Sequence, residues 1–197
     1  MSNIAPAPVR NTPSDPRVER TIHALGRALV ELIEERDYDA ITVQQILDRA
    51  GVSRATFYSH YRNKDDALHS SYARLFALFE EVLERRPART RGLFPVAEFV
   101  AHLGETRSFA LALHRAGRLE DAFGMFAVHT AGVIERRLSV WPEVRTTVPP
   151  ALVARMLAGA LLELIRWWWE DPSRATPASM DAAFHELARG ILRRVPA

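Results

Sequence analysis

Apolar side chains recur along this chain at steps of three and four residues, the spacing that lines one face of a helix. Val18, Ile22, Leu25, Leu29, Leu32 and Ile33 form the first such stripe. It opens at Asp15-Pro16, an N-cap followed by proline at the first helical position, and runs to about Arg36. The turn Asp37-Tyr38-Asp39 leads into two short helices joined at residues 50–53, with a third beginning at Asn63. Thr42 and Gln45 have capping-box spacing, which starts the first of these at Val43. Gly51 stands where that helix must stop, because glycine enters the left-handed conformation without steric cost. Ser53 caps the second. A longer helix is predicted over 64–86, with Leu68, Tyr72, Leu75, Phe76, Phe79 and Leu83 on its inner side and Pro87 at its end. Further helices are predicted over 95–116, 119–140, 149–170 and 178–194, divided by Gly117, Trp141-Pro142, Pro149-Pro150 and Asp171-Pro172. No segment of this later part alternates with a period of two, so the pattern predicts an all-α fold.

Two helices crossing through so short a glycine-containing turn make a helix-turn-helix, whose second helix fits the DNA major groove. Ile46, Ala50, Val52 and Phe57 are the apolar residues that pin it to its unit. Arg54, Ala55, Thr56, Tyr58, Ser59 and His60 fall mainly on the remaining surface. Arginine suits guanine edges, a methyl group suits thymine, and hydroxyls and imidazole suit phosphate oxygens. Lys64, the sole lysine among the 26 Lys+Arg, lies in the first turn of the next helix, beside backbone N–H groups that attract phosphate. A helical hairpin with merely solvated polar residues is the plainer alternative, but cap, glycine and polar face all fall in register.

Residues 50–68, AGVSRATFYSHYRNKDDAL, resemble the helix-turn-helix signature of the TetR family of bacterial transcriptional repressors, and the likeness extends over roughly 17–70. The resemblance implies an all-helical homodimer with a DNA-binding domain at 16–63 and an effector-binding and dimerisation domain at 64–197. Residues 1–15 read as a disordered arm. By position, the resemblance makes Gln44 and Arg54 base-contact candidates, with Ala55 beside a base methyl. It makes Thr42, Thr56, Tyr58, His60 and Lys64 phosphate contacts. Leu47 and Tyr61 depart from the family pattern, which usually has alanine and phenylalanine there. The implied partners are a palindromic duplex operator, a small-molecule effector and a second copy of the chain.

Composition narrows the chemistry without naming it. A chain of 197 residues with 48% hydrophobic residues can bury a sizeable core in one or two domains. The formal net charge is only +2, so affinity for nucleic acid has to come from a local patch of Arg49, Arg54, His60, Arg62 and Lys64. With Cys 0 there are no disulfides and no cysteine-held metal, and no cofactor is expected. No apolar run is long enough to span a bilayer and residues 1–14 lack a signal-peptide centre, so a cytoplasmic location is expected.

The later helices carry the remaining candidates. The 149–170 segment is apolar on nearly every side, and Met180, Phe184, Leu187 and Ile191 follow at heptad-like spacing in the last helix. Leu161, Trp168, Phe184, Leu187 and Ile191 are therefore expected at a dimer interface, the alternative being a helix buried within one monomer. Trp167, Trp168 and Trp169 cannot share one face, since successive helical residues point about 100° apart. An effector pocket is expected between the 64–86 helix and those after Pro95, lined by Phe76, Phe79, Leu83, Phe99, His102, Thr106, Phe126 and His129. Plain core packing is the alternative for the two histidines. An enzyme has little support: His185-Glu186 opens a His-Glu-x-x-His zinc pattern, but Arg189 stands at its second histidine. An effector-independent DNA-binding or protein-interaction module is the third reading.

Overall fold

The computed structural model describes residues 15–86, 92–140 and 148–192, and among these every regular element is a helix. The order is α1 (Pro16–Glu35), a 3-10 turn at Tyr38–Ala40, α2 (Val43–Ala50), α3 (Arg54–His60) and α4 (Lys64–Arg85). Then come α5 (Val96–Glu105), α6 (Arg107–Arg115), α7 (Leu119–Ser139), α8 (Pro150–Glu170), a 3-10 turn at Pro172–Arg174 and α9 (Pro177–Ile191). Side-chain caps start five of the helices: Asp15, Thr42, Ser53, Asn63 and Thr176 each accept a backbone N–H of their own first turn. Residues 1–14, Pro87 and Trp141-Pro142 lie outside the described residues, so the arm and two of the expected breaks do too.

The first unit is built as the stripe predicts. Leu25, Leu29, Leu32 and Ile33 of α1 are buried together with Ile46, Phe57 and Leu68, closing α1–α4 on one core. Leu47 is buried in that core. Tyr61 is buried too, and its hydroxyl lies 3.4 Å from that of Ser70. Both departures from the family pattern therefore have packing roles.

The larger unit differs from expectation in two respects. The helix expected over 95–116 is two helices, because Thr106 takes φ −103° and ψ 24° and its hydroxyl donates to the His102 carbonyl at 2.8 Å. The apolar spacing runs across that junction without a gap, so nothing in it marks the bend. The second difference is in α8, which packs along α7 while α9 packs on α5 and α8. Leu161, Trp168 and Phe184 are 0%, 4% and 1% exposed, so they belong to the monomer core rather than to an interface. Of the five interface candidates only Leu187 and Ile191 lie on the surface. The three tryptophans part as helix geometry requires. Trp168 is buried and donates to the Ala175 carbonyl, Trp169 lies under the Arg107 guanidinium, and Trp167 is exposed beside Arg174.

Two glycines give opposite expectations. Gly51 has φ 66° with open space around its Cα, so Gly51→Ala meets only backbone strain and should lower stability by about 1–2 kcal/mol. Gly124 lies inside α7, and a methyl group added there would meet nothing within 4 Å, so Gly124→Ala should raise stability by about 0.5–1 kcal/mol. Denaturant unfolding of the two variants checks both signs.

Candidate functional site

Local chemistry sets the outward face of α3. At the start of α2 the Thr42 hydroxyl accepts the Gln45 N–H and the Gln45 side chain accepts the Thr42 N–H, a complete capping box. Gly51 then turns the chain at φ 66°, ψ 34°, and the Val52 N–H closes on the Leu47 carbonyl at 3.1 Å. Ser53 accepts the Thr56 N–H and starts α3. Phe57 is fully buried beneath the helix while Tyr58, its neighbour, is half exposed. Arg54, Ala55, Tyr58 and Ser59 face solvent, and Thr56 and His60 are partly covered.

Polar side chains on this face are already bonded to one another. The Arg54 guanidinium donates to Gln44 Oε1 at 2.8 Å, and Gln44 Nε2 donates to Asp48 Oδ1 at 2.7 Å. The Thr56 and Ser53 hydroxyls lie 2.8 Å apart, and Ser59 donates to the Thr56 carbonyl. The eight DNA-contact candidates therefore divide. Arg54, Ala55 and Tyr58 are exposed on α3 with Gln44 bonded to Arg54, Thr56 and His60 are partly covered, Thr42 caps α2, and Lys64 does not join them.

The Lys64 ammonium turns inward. It donates to the carbonyls of Tyr38 (2.6 Å), Ile41 (3.0 Å) and Asp39 (3.3 Å), and it sits 4.5 Å above the Tyr38 ring. Three N–H bonds meet three carbonyls, which corrects its expected role as a phosphate contact. The local basic patch shrinks in the same way. Arg49 forks onto Glu35 and also reaches Glu31, while Arg62 forks onto Asp66. These pairs hold the carboxyls of Glu35 and Asp66 below their ordinary values, chiefly through the arginine hydrogen bonds.

The expected effector residues meet, but as packed core. Phe99 stacks on Phe126 at 4.5 Å, and Phe76, Phe79 and Phe94 meet this pair edge-on or tilted at 5.1–6.5 Å. His102 lies against Phe79, and His129 against Phe76. Burial lowers the pKa of both imidazoles, so both are neutral at pH 7. Leu83 is buried on the same helix as Phe76 and Phe79. Thr106 stands apart from the cluster's chemistry, since its hydroxyl is committed to the helix junction. His185 is a tether: its Nε2 accepts the Leu93 N–H at 3.1 Å, and its Nδ1 lies 2.9 Å from the Asp181 carbonyl.

Comparison with known proteins agrees with this geometry. Residues 27–70 match the family described as bacterial regulatory proteins, tetR family. The uncharacterized HTH-type transcriptional regulator YxbF of Bacillus subtilis (strain 168) is 41% identical over 61 residues, 30% of this chain and 16% of its own length. The HTH-type transcriptional regulator TcmR of Streptomyces glaucescens is 29% identical over 133 residues, 64% of this chain and 55% of its own. The chain thus spans between 16% and 55% of the length of these two relatives. The crystal structure of Thermus thermophilus FadR, a TetR family transcriptional repressor in complex with lauroyl-CoA, has the same fold. It matches with a TM-score of 0.57 at 22% identity, over 89% of this chain and 98% of that one. The likeness to the TetR family is thus carried by residues 27–70, the helix-turn-helix segment.

A polar node that no sequence motif marks sits between the Tyr38–Ala40 turn, α4 and α7. The Tyr38 hydroxyl donates to Asp65 Oδ1 at 2.7 Å, and Arg118, at the head of α7, lies 3.5 Å from Asp65 and 5.1 Å above the Tyr38 ring. Burial and the Asp65 contact push the Tyr38 phenol above its ordinary value, so it stays a donor. The aspartate at the first turn of α4 was a visible signal. Its partners were not, because they are 27 and 53 residues away in sequence.

The two depressed imidazoles predict a pH effect. In the unfolded chain each takes a proton near its usual value of 6.5, whereas in the folded chain it does so only at lower pH. Their contribution to stability is therefore intact above pH 6.5 and is lost as pH falls below it. Melting temperatures measured from pH 7.5 to 5 should fall for the wild type, and His129→Gln should flatten part of that fall.

Proposed function

We propose that this chain is a transcriptional regulator that binds a palindromic duplex operator as a homodimer and is released by an apolar or aromatic small molecule. The observation that carries the DNA-binding part is the outward face of α3. It presents Arg54, Ala55, Tyr58 and Ser59 from a helix whose other side is locked by buried Phe57. Such a face matches the mix of groups that read base edges and phosphates in a major groove. The two relatives named as transcriptional regulators support the same reading.

A palindromic site needs two recognition helices, so the proposal includes a second copy. Leu187 and Ile191 on α9, and Leu152, Met156 and Trp167 on one face of α8, leave 44–61% of their surface in water. Gly159, Ala160 and Gly190 lie on the exposed parts of the same helices, where small residues permit close approach. The effector is the coarser part of the proposal. An apolar ligand suits the phenylalanine cluster, and the lauroyl-CoA bound by Thermus thermophilus FadR supports an apolar occupant for this fold. Rings already in contact have to separate to admit one, so binding would favour a different arrangement of α4 and α7, the coupling that release requires. The same ring contacts favour a second reading, an effector-independent DNA-binding module. Its mark is a melting temperature that no member of a panel of apolar acids and aromatic compounds raises.

The test is selection from random duplexes followed by titration at several salt concentrations. Arg54→Ala should cost about 1–3 kcal/mol on the selected duplex and relax one base pair. Arg62→Ala, which removes an arginine already paired with Asp66, should leave the salt slope within about 0.5 of wild type. Light scattering should give a dimer, reduced to a folded monomer with weak operator binding in Leu187→Glu. Equal loss of specific and random binding in Arg54→Ala contradicts its base-reading role.

A further inference from the structure

We propose that Asp48 is a specificity-determining positioning residue: it fixes the Gln44 amide so that Gln44 holds the Arg54 guanidinium in its base-reading pose. The inference rests on the DNA-binding reading above and adds a residue to which neither the helix-turn-helix pattern nor the resemblance gives a role.

The chain of bonds runs Arg54 to Gln44 Oε1 at 2.8 Å and Gln44 Nε2 to Asp48 Oδ1 at 2.7 Å. Its ends have opposite capacities. A carboxylate only accepts and a guanidinium only donates, so the amide between them has one satisfying orientation. Flipped, it would set its NH2 against the guanidinium and its oxygen against the carboxylate. Asp48 lies one turn after Gln44 on α2, which puts carboxylate and amide on the same face. Arg54 is the first residue of α3, on the far side of the Gly51 turn, so the Arg54–Gln44 bond spans the motif and ties the reading side chain to the other helix. Both bonds have an ionised end, which makes them stronger than neutral ones.

Two consequences separate this role from ordinary solvation. A long arginine held before docking loses less rotamer freedom on binding and meets fewer competing partners, which sharpens its choice of base. Asp48 also carries a negative charge on the side of the motif that faces DNA, and among the described residues it forms no ion pair. The adjacent Arg49 is turned away onto Glu31 and Glu35. A lone carboxylate there opposes binding to any phosphate backbone, so it lowers affinity for random duplex while raising discrimination. Gln44 keeps one lone pair and one N–H outside the chain of bonds, enough to touch a base without releasing Arg54.

The experiment uses the full chain. Wild type selects from random duplexes. Wild type, Arg54→Ala, Asp48→Ala, Asp48→Glu and Gln44→Ala are then titrated by fluorescence anisotropy against the selected duplex, its single-base variants and a random duplex at one salt concentration. Asp48→Ala should lose about threefold or more of the discrimination at the same base pair that Arg54→Ala relaxes, and bind random duplex at least as tightly as wild type. Asp48→Glu, which keeps an acceptor-only group, should retain the wild-type profile. Gln44→Ala should relax the Arg54 base pair, and it decides the matter if Asp48→Ala melts well below wild type. The proposal is overturned if Asp48→Ala keeps full discrimination there, if Asp48→Glu loses it, or if Gln44→Ala leaves that base pair unchanged. A wild type that enriches no sequence removes DNA reading itself and this inference with it. Enrichment by wild type with an unaltered Asp48→Ala profile removes the inference alone.

Discussion

Lys64 fastens the first turn of α4 to the 3-10 turn that precedes α2. Its ammonium closes three carbonyls at the 3-10 turn Tyr38–Ala40, and the Tyr38 ring lies beneath it. The Tyr38 carbonyl also accepts the Ile41 N–H at 3.1 Å, so Lys64 adds a second bond there and gives one each to the Asp39 and Ile41 carbonyls. An ammonium is a compact group with three diverging N–H bonds, whereas a guanidinium is a planar fork that cannot close on three oxygens from one point. That difference suits a lysine rather than an arginine at position 64. Because Lys64 begins α4, the clamp fixes where the α2–α3 unit sits on the helix that carries Phe76 and Phe79 into the aromatic cluster. Tyr38, Asp65 and Arg118 extend the same node to α7.

The arrangement also governs electrostatics on the α3 face. Arginines that look available in sequence are neutralised by acids one helix away or one turn on, as Arg49 is by Glu35 and Arg62 by Asp66. Exposed pairs of this kind contribute little to stability, but they withdraw charge from any non-specific field. What remains outward is a small bonded set around Arg54. A surface built this way relies on geometry at few positions rather than on overall attraction to phosphate, in keeping with a net charge of only +2.

The readable parts of the fold were those decided within a few residues. The capping box at Thr42, the stop at Gly51 and the α1 stripe depend on local backbone chemistry, and each falls where the spacing puts it. Lys64 was misread because its partners lie 23–26 residues away and a first-turn cation resembles an anion-binding group from sequence alone. Leu161, Trp168 and Phe184 were misassigned for a related reason. Apolar spacing reports that a face is buried, and whether by the same chain or by a second copy depends on where α7 and α9 pack. The bend at Thr106 left no trace because the periodicity continues through it.

The central claim, that Lys64 is an internal clamp and not a phosphate contact, is open to one direct measurement. Lysine-selective nitrogen-15 labelling of the ammonium gives a single signal, since the chain has one lysine. The account predicts a signal that exchanges slowly with water in the free protein and keeps its position when a selected duplex is added or the salt is raised. A fast-exchanging, water-like signal in the free protein, protected only once DNA binds, would contradict it.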